Sequence, residues 1–346
     1  MLKYKVDILK GLPERLSCSF HAFIPWQPDA LEKINRWLKM MNGKEILTIF
    51  GFEVNEEPKS IYPYSPVYRV KYGDKDVVVK RTQRRAKNVM SYITMLKNKG
   101  INVVTPVKLQ VDNPQKYEDT NFVVYPYIEG KKYSGEKKEI YEAGKLLGQI
   151  HSFSPSINAY NLLDYDVYDF NEQEVEASME AIIQHADNAG VEIDTGLKTK
   201  LLESVASQQE LYHAGLPHVA TPHDFKANNL VLIPEPYLID PDNAAWIPRI
   251  FDLALALLLF HNEHEEAPDQ VFTIDEWALF LSGYKEYIVL TDHEKGFWDK
   301  AKQHVFLDEV MWLMAEYEED WQKSSQQKLF NSLIRVVIDS AAYKLI

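Results

Sequence analysis

The chain has 346 residues and lacks most features that mark a secreted or membrane protein. Its single cysteine, Cys18, excludes an intrachain disulfide framework and a metal site built from several cysteines. No apolar run approaches the roughly 20 residues of a membrane-spanning helix, and residues 1–15 are too polar for a signal peptide. Internal repeats and low-complexity segments are also absent. These absences favour a cytoplasmic protein, long enough for two lobes with a sizeable core.

Positive charge is scarce in the C-terminal part of the chain. Residues 1–130 hold 21 Lys and Arg against 14 Asp and Glu, a net charge of +7, whereas residues 131–346 hold 17 against 37, a net charge of −20. This acidic part argues against nucleic acid as the main partner, because phosphate backbones attract cationic surfaces. It suits a cationic ligand, which a negative cleft would concentrate. The alternative is that these acidic faces are only solvated surface.

Residues 221–258 contain the most informative spacing. Asp224 is followed five residues later by Asn229, an apolar run leads to Asp240 and Asp242, and Asp252 stands before a second apolar segment. Phosphoryl transfer needs a carboxylate beside the acceptor hydroxyl and hard oxygen ligands for magnesium, with little covalent help from the protein. The spacing therefore predicts that Asp224 takes the proton of the acceptor and that Asn229 and Asp240 hold magnesium.

Two short apolar runs frame these residues. Residues 230–233 and 237–239 predict paired strands, which would bring Asn229 and Asp240 to the same end of a hairpin. The alternative is purely structural, because Asp and Asn are turn formers and Asp252 could be only the N-cap of a helix. That alternative requires two spacings and their apolar frames to coincide by chance.

These motifs resemble those of the aminoglycoside phosphotransferases and choline-kinase-like proteins, which have a protein-kinase-like fold. That family carries His-Gly-Asp, four further residues and Asn, then Ile-Asp followed about twelve residues later by Asp-Leu-Ala. Asp224 to Asn229 keeps the first spacing, and Asp240 to Asp252 keeps the second. The resemblance implies a bilobal α+β fold with a small antiparallel-sheet N-lobe and a larger, mainly helical C-lobe. It would place an N-terminal extension and helix in residues 1–44, the nucleotide-binding N-lobe in residues 45–128 and the C-lobe in residues 129–346.

The resemblance also implies roles for the residues of the catalytic region. Asp224 would be the catalytic base, and Asn229, Asp240 and Asp242 would hold Mg²⁺. Lys226 resembles the lysine of the protein-kinase pattern Asp-Leu-Lys-x-x-Asn and would contact the transferred phosphate. Its alternative is a solvated loop lysine.

A second set of residues would bind ATP or GTP. Lys80 resembles the strand lysine that kinases aim at the nucleotide phosphates. Ser65 lies in the loop expected to cover those phosphates, and Tyr125 and Tyr127 lie in the predicted inter-lobe hinge, where adenine pairs with backbone groups. Asp252 would brace the Asp224 loop through hydrogen bonds to its backbone.

The sequence departs from the family pattern at three places. Kinases pair the strand lysine with a helix glutamate, but no acidic residue occurs between Asp76 and Asp112, so this lysine is held differently or by a residue from elsewhere. Residues 62–67 contain no glycine, which makes close backbone approach to phosphate harder. Pro222 occupies the place of the family's histidine, and His223 directly precedes the aspartate, which predicts shifted loop packing. The first two departures keep open a non-catalytic alternative, a binding or structural protein like the spore-coat relatives of this family.

The short link between Asp240 and Asp252 argues against a protein kinase. Only eleven residues separate them, and no Ala-Pro-Glu follows, so no room remains for a segment that positions a peptide. The predicted function is transfer of the γ-phosphate of a nucleoside triphosphate to a hydroxyl of a small molecule. The acidic composition favours a cationic acceptor such as an aminoglycoside, and neither nucleic acid nor a membrane is expected as a partner.

Periodicity and turn residues predict the remaining elements. Helices are expected over residues 29–41, 86–98, 137–152, 176–189, 195–213, 275–287, 292–313 and 326–343. Strands are expected over residues 45–53, 67–72, 76–81, 101–111 and 122–128, with a polar loop over residues 115–120.

Three other polar groups have a structural interpretation. His151 is predicted to be a packed or capping histidine and not a base. His261 and His264 stand three apart without a further ligand set, so residues 261–266 are predicted to be a solvated acidic helix end or loop. The acidic residues between 316 and 320 either line an acceptor site, as the resemblance implies, or form a solvated helix end.

Overall fold

The computed structural model describes residues 42–62, 65–262 and 264–345, so the helix predicted over residues 29–41 lies outside the described residues. The first described element is helix α1 (Gly43–Ile49), which Asn42 caps by accepting a hydrogen bond from the Glu45 backbone N–H at 3.1 Å. The strand predicted over residues 45–53 is therefore wrong. Asn42 begins this helix because asparagine is favoured at helix N-caps. The domain boundary predicted between residues 44 and 45 would fall inside α1.

A four-stranded antiparallel sheet forms the N-terminal lobe, with strand order β1-β2-β4-β3. Its strands are β1 (Val67–Tyr72), β2 (Lys75–Thr82), β3 (Gln115–Tyr117) and β4 (Thr120–Pro126). The strands predicted over residues 67–72 and 76–81 are present as β1 and β2, and they form an antiparallel hairpin with Val67 paired to Lys80. Helix α2 (Ala86–Asn98) follows β2 with the predicted bounds and buries Val89, Ile93 and Leu96.

Two predictions between α2 and β4 are wrong. Residues 101–111 contribute only an isolated bridge from Val103 to Leu238, and Pro106 in their middle has no N–H to donate to a sheet. Residues 115–120 include β3, because Glu118 adopts a left-handed φ of 51° in a turn tight enough to pair Tyr117 with Thr120.

The C-terminal lobe is mainly helical. Its helices are α3 (Lys137–Ser152), α4 (Glu172–Asn188), α5 (Gly196–His213), α6 (Arg249–Leu259), α7 (Ile274–Tyr284), α8 (Asp292–Val305), α9 (Met311–Glu316), α10 (Glu318–Trp321) and α11 (Ser324–Ile338). The helix predicted over residues 292–313 is present, but a π-helical turn (Phe306–Val310) joins α8 to α9. No helix among the described residues is long and apolar enough to cross a membrane.

Short strands position the loops of the C-terminal lobe. They are β5 (Leu163–Asp164), β6 (His218–Thr221), β7 (Leu230–Ile233), β8 (Glu235–Leu238) and β9 (Ala245–Pro248). β5, β9 and β6 form a three-stranded sheet, and β7 pairs with β8 as an antiparallel hairpin.

Helices α3 and α7 meet backbone to backbone. A Cβ added at Gly144 would lie 2.0 Å from the Phe280 carbonyl oxygen, and one added at Gly283 would lie 2.1 Å from the Tyr141 carbonyl oxygen. Only glycine permits this approach, because any larger residue would force the helices apart. The contact fixes the C-terminal ends of both helices, where His151 and Tyr284 meet.

Candidate active site

Direct hydrogen bonds join the two lobes. The hydroxyl of Tyr92, on α2, donates to the Ala220 carbonyl oxygen at 2.7 Å. The side-chain amide of Gln83 donates to the carbonyl oxygen of Asp242 at 2.5 Å. Further contacts between the lobes join Lys80 and Tyr125 of the N-terminal lobe to Asp240 and Asp242 of the C-terminal lobe.

The β7–β8 hairpin brings Asn229 and Asp240 together as predicted. The Ile239 backbone N–H donates to the Asn229 carbonyl oxygen at 2.9 Å. Asp240 is the next residue after Ile239, so it lies close to Asn229. The Asn229 side-chain nitrogen donates to the Asp224 carbonyl oxygen at 2.9 Å and to its carboxylate Oδ2 at 3.3 Å. Because these hydrogen bonds occupy the side-chain nitrogen, the amide oxygen of Asn229 is the side-chain atom that could bind a cation.

The loop that carries Asp224 has an uncommon backbone. His223 and Asp224 both adopt the left-handed region, with φ of 56° and 48°. Consecutive non-glycine residues in this conformation are strained, and such strain persists where the surrounding structure enforces it. The family motif His-Gly-Asp has its glycine at the place of His223. The left-handed backbone is thus present here without the residue that adopts it most readily, and the shifted histidine is buried.

Lys226 lies beside the Asp224 carboxylate. Its Nζ is 3.3 Å from Asp224 Oδ2, and its side chain is only 16% exposed. This largely buried position next to a carboxylate disfavours the interpretation as a solvated loop lysine.

Lys80 reaches across to two carboxylates of the C-terminal lobe. Its Nζ lies 2.5 Å from Asp240 Oδ1 and 3.2 Å from Asp242 Oδ2. Burial alone would lower the pKa of Lys80, but the charges of Asp240 and Asp242 outweigh burial and raise this pKa, so the side chain is an ammonium at neutral pH. The carboxylates that contact this ammonium group therefore come from the loop after β8 and not from α2.

The two carboxylates of this loop have different surroundings. The Asp240 side chain is 38% exposed, whereas that of Asp242 is 6% exposed. Asp242 Oδ1 accepts a 2.6 Å hydrogen bond from the buried hydroxyl of Tyr125. Burial, together with the negative charge of Asp242, raises the pKa of Tyr125 well above its ordinary value, so this hydroxyl remains a donor.

Ser65 and Tyr127, two other predicted nucleotide-binding residues, contact residues of the N-terminal lobe. The Ser65 carbonyl oxygen accepts a hydrogen bond from the Ser60 hydroxyl at 2.9 Å. The Tyr127 N–H donates to the Asp76 carbonyl oxygen at 3.0 Å, and the Arg69 guanidinium lies 3.7 Å from the centre of the Tyr127 ring. The contribution of Ser65, Tyr125 and Tyr127 to nucleotide binding stays a prediction.

Asp252 holds the strand that leads to the Asp224 loop. It lies in the first turn of α6, and Pro248, not Asp252, is the N-cap. Its Oδ2 accepts hydrogen bonds from the His151 ring at 2.8 Å and from the Thr221 hydroxyl at 3.0 Å. The hydrogen bonds that the structure gives this carboxylate therefore come from side chains, which corrects the expectation of bonds to the loop backbone. His151 is packed between Asp252 and Tyr284, as predicted.

Residues 261–266, predicted to be a solvated helix end or loop, are solvated only in part: Glu265 and Glu266 are exposed, whereas the start of the segment is buried. His261 is buried, with one ring nitrogen 2.8 Å from the Tyr133 hydroxyl and the other 2.7 Å from the Gln270 carbonyl oxygen. Since both nitrogens have partners, His261 is not placed to bind a metal. The apolar residue at position 260 and the aromatic content around it were the available signals for a buried helix end.

The donor set between the lobes fits magnesium. Asn229 offers an amide oxygen and Asp240 an exposed carboxylate, both hard oxygen ligands. Within the described part of the chain, no group of three or more His, Cys, Asp or Glu side chains is arranged to hold a metal. An ion here would therefore keep several of its waters, as magnesium does in sites completed by substrate phosphates.

Comparison with known proteins identifies the family. A sequence model of the phosphotransferase enzyme family matches residues 64–286, which is more than half of the chain. The chain belongs to the phosphotransferase enzyme family. A comparison with curated proteins gives no match.

Solved structures confirm the kinase-like fold of this phosphotransferase-family chain. An amicoumacin kinase is 16% identical over 91% of this chain and 97% of its own, with a TM-score of 0.60. A microcompartment-associated aminopropanol kinase is 13% identical over 88% and 98%, with a TM-score of 0.58. A spectinomycin phosphotransferase is 17% identical over 86% and 97%, with a TM-score of 0.56. The predicted bilobal α+β architecture is confirmed by these similarities.

Proposed function

We propose that this phosphotransferase-family protein is a small-molecule kinase that transfers the γ-phosphate of ATP or GTP to a hydroxyl group. The observation that carries the proposal is the convergence of four side chains from two lobes. The Asn229 side chain donates a hydrogen bond to the Asp224 carboxylate, and the Asn229 carbonyl oxygen accepts one from the backbone of Ile239, the residue before Asp240. The Asp240 carboxylate forms an ion pair with Lys80. If these four residues lay on separate surfaces, they could not act together on one phosphoryl group.

In the proposed reaction, Asp224 orients the acceptor hydroxyl and takes its proton. The hydroxyl oxygen forms a bond to the γ-phosphorus, the bond from that phosphorus to the β–γ bridging oxygen breaks, and the nucleoside diphosphate leaves with the bonding electrons. Lys226, 3.3 Å from Asp224, would neutralise charge on the transferred group, and Lys80 would neutralise charge on the nucleotide phosphates.

Magnesium fits this scheme through Asn229 and Asp240. When bound, it would supply positive charge that offsets the negative charge of the nucleotide phosphates. The amicoumacin kinase was solved in complex with AMP-PNP and Ca²⁺, and the spectinomycin phosphotransferase was solved in complex with ADP. These complexes support a nucleotide and a divalent cation as the cofactors proposed for this chain.

The acceptor that we propose is a small cationic molecule. The net charge of −20 on residues 131–346 supports this class, because it lowers the potential around the C-terminal lobe. Two of the similar structures are complexes with small molecules, spectinomycin in one and amicoumacin in the other. A nucleotide-consumption screen with ATP and GTP against aminoglycosides, other antibiotics, choline, homoserine and sugars tests the proposal. Turnover with amine-bearing acceptors supports it, and turnover restricted to sugars overturns the charge argument.

Replacing the proposed base tests the chemistry. Asp224→Asn should lower turnover by about 100- to 10,000-fold, because the amide cannot take the proton, while binding of Mg·AMP-PNP stays largely unchanged. Steady-state kinetics with the acceptor found in the screen, together with calorimetry, measures both. Asp292→Asn is the control, since Asp292 pairs with Lys295 on the surface of α8. Unchanged turnover in Asp224→Asn would remove Asp224 from this role.

A non-catalytic binding protein is the second candidate. The observation that favours it is the glycine-free loop before β1, which Ser60 ties down through bonds to its neighbours. A thermal-shift titration with ATP and magnesium separates the candidates. A rise that disappears in Asp240→Ala supports the kinase, whereas no response to any nucleotide supports the binding protein.

A further inference from the structure

Lys80 has no acidic partner on α2, yet its ammonium group is not free. Two carboxylates from the loop after β8 contact it, Asp240 at 2.5 Å and Asp242 at 3.2 Å. If Asp240 takes up a metal ion, it can no longer serve fully as the partner of Lys80. The lysine then needs a second carboxylate that stays in place when metal and nucleotide bind.

Asp242 has the properties of that permanent partner. Its side chain is 6% exposed, and its Oδ2 faces Lys80 without access to solvent. A metal ion that keeps its waters does not fit around an oxygen this deeply buried. Its carbonyl oxygen accepts a hydrogen bond from Gln83, which fixes the loop against the N-terminal lobe.

Tyr125 determines which way the Asp242 carboxylate points. Its hydroxyl proton can be donated once, and two acceptors are near: Asp242 Oδ1 at 2.6 Å and Met90 Sδ at 3.3 Å. The carboxylate is the stronger acceptor, because a charge-assisted hydrogen bond exceeds one to a thioether. With Oδ1 held by Tyr125, Oδ2 is directed to Lys80.

We propose that Tyr125 and Asp242 form a positioning pair that holds Lys80 toward the nucleotide phosphates and replaces the helix carboxylate that kinases use. The assignment rests on the proposed function. Asp242 is then a positioning residue and not a metal ligand, and Tyr125 acts through its hydroxyl without touching the nucleotide. Asp240 would release Lys80 when it binds a metal ion, whereas Asp242 would stay paired with Lys80.

A matched pair of tyrosine variants tests the assignment. Tyr125→Phe removes only the hydroxyl that holds Asp242. Tyr92→Phe removes an equally buried hydroxyl between the lobes, whose acceptor is the Ala220 carbonyl and which has no contact with Lys80. Calorimetry with Mg·AMP-PNP and competition binding with adenosine give the affinity for the nucleotide with and without phosphates. Both variants should lose some thermal stability, so stability alone does not decide.

The decisive quantity is the ratio of the two affinities. Tyr125→Phe should weaken Mg·AMP-PNP by about tenfold and leave adenosine unchanged, because Lys80 acts only on phosphates. Tyr92→Phe should leave the ratio at the wild-type value. Equal ratios in the two variants would overturn the positioning pair while leaving the proposed function standing. A wild-type protein without affinity for any nucleoside triphosphate would overturn both.

A rescue experiment tests the replacement of the helix carboxylate. Met90 is the α2 residue whose side chain reaches Tyr125. Asp242→Asn should weaken Mg·AMP-PNP by at least as much as Tyr125→Phe, and adding Met90→Glu in the same chain should restore most of the affinity by supplying a carboxylate from α2. A second substitution in the core would worsen a merely structural defect. Recovery of the affinity for Mg·AMP-PNP would therefore show that the carboxylate acts by positioning Lys80. If the double variant binds Mg·AMP-PNP no more tightly than Asp242→Asn, Asp242 does not replace the helix carboxylate and the proposal is overturned.

Discussion

Asp252 is a carboxylate in the core that remains ionised. Burial alone would raise its pKa, but the hydrogen bond and charge of His151, the charge of His223 and the hydrogen bond from Thr221 outweigh it, so the pKa lies below its ordinary value. Of these partners, Thr221 belongs to β6, three residues before Asp224. Asp252 therefore links α6 to the loop that carries the proposed base.

The Thr221 hydroxyl gives a measure of that link. Thr221→Val keeps the branched shape and removes the donor, so the free energy of unfolding should fall by about 1–3 kcal/mol, the range for a hydrogen bond to a buried charge. Thr82→Val is the control, because the buried Thr82 hydroxyl has no hydrogen-bond partner among the described residues. This control should be neutral or stabilising. Urea denaturation measures both, and equal effects would contradict the role given to the Asp252 bond.

At the residue scale, spacing predicts some contacts and misses others. The pairing of Asn229 with Asp224 and its place beside Asp240 follow from motifs within about twenty residues of chain, and local spacing constrains such contacts. The bond from Tyr125 to Asp242 joins residues 117 positions apart, and no local pattern encodes it. The left-handed backbone of His223 could not be predicted from the sequence either, because residues other than glycine seldom adopt this conformation.

The packing of α3 on α7 gives a test at the scale of elements. Gly283→Ala would place its Cβ 2.1 Å from the Tyr141 carbonyl oxygen, so the helices must separate, and the free energy of unfolding should fall by about 3 kcal/mol or more. Gly296→Ala in α8 is the matched control, since nothing lies within 4 Å of its new Cβ. It should stabilise the protein by about 0.5–1 kcal/mol through helix propensity. Thermal unfolding gives both signs, and a neutral Gly283→Ala would contradict the backbone contact.

The acidic segment at the end of α9 should make stability depend on pH. Burial raises the pKa of Glu316 to about 7, with a hydrogen bond from Tyr317 opposing it. Because the folded pKa exceeds the unfolded one, the contribution of Glu316 to stability is present below about pH 4.5 and is lost as pH rises through about 7. Glu316→Gln should therefore melt at a higher temperature relative to the wild type at pH 8 than at pH 5.

Glu318→Gln provides the comparison for this pH effect. Glu318 is exposed and accepts a hydrogen bond from Asn188, so Glu318→Gln removes a carboxylate near Glu316 without the burial of the Glu316 side chain. Melting curves at pH 5, 6, 7 and 8 decide the matter. A constant difference for Glu316→Gln would contradict the burial of its carboxyl group.

Element prediction succeeded where a helix buries a regular stripe. The bounds of α2 and α3 agree with the sequence, because apolar residues recur at helical spacing and strong breakers follow. It failed for α1 and for residues 101–111. The seven residues of α1 are too few to show a period. The run after α2 makes isolated contacts and no continuous ladder: a single bridge at Val103 and one backbone hydrogen bond from the Val107 N–H to Val124 of β4.

At the scale of the whole molecule, the core is unequally divided. One hydrophobic cluster runs from α2 and β4 through the C-terminal lobe and includes nearly all of α6. A second, much smaller cluster joins α1 to the other face of the sheet through residues such as Leu47, Phe52 and Val79. Little apolar burial supports this outer layer, so it should open at a lower free energy than the rest.

Native-state hydrogen exchange tests this division and its relation to the proposed site. Amides of α1 and β1 should exchange through local opening, whereas amides of α6 should require global unfolding. Mg·AMP-PNP, if it binds between Lys80 and Asp240, should slow exchange in β1 and β2 and have less effect in α6, because it adds contacts to the less stable lobe. Asp240→Ala should remove this protection without changing exchange in the free protein's α6. Equal protection of α1 and α6 in the absence of nucleotide would contradict the division of the core.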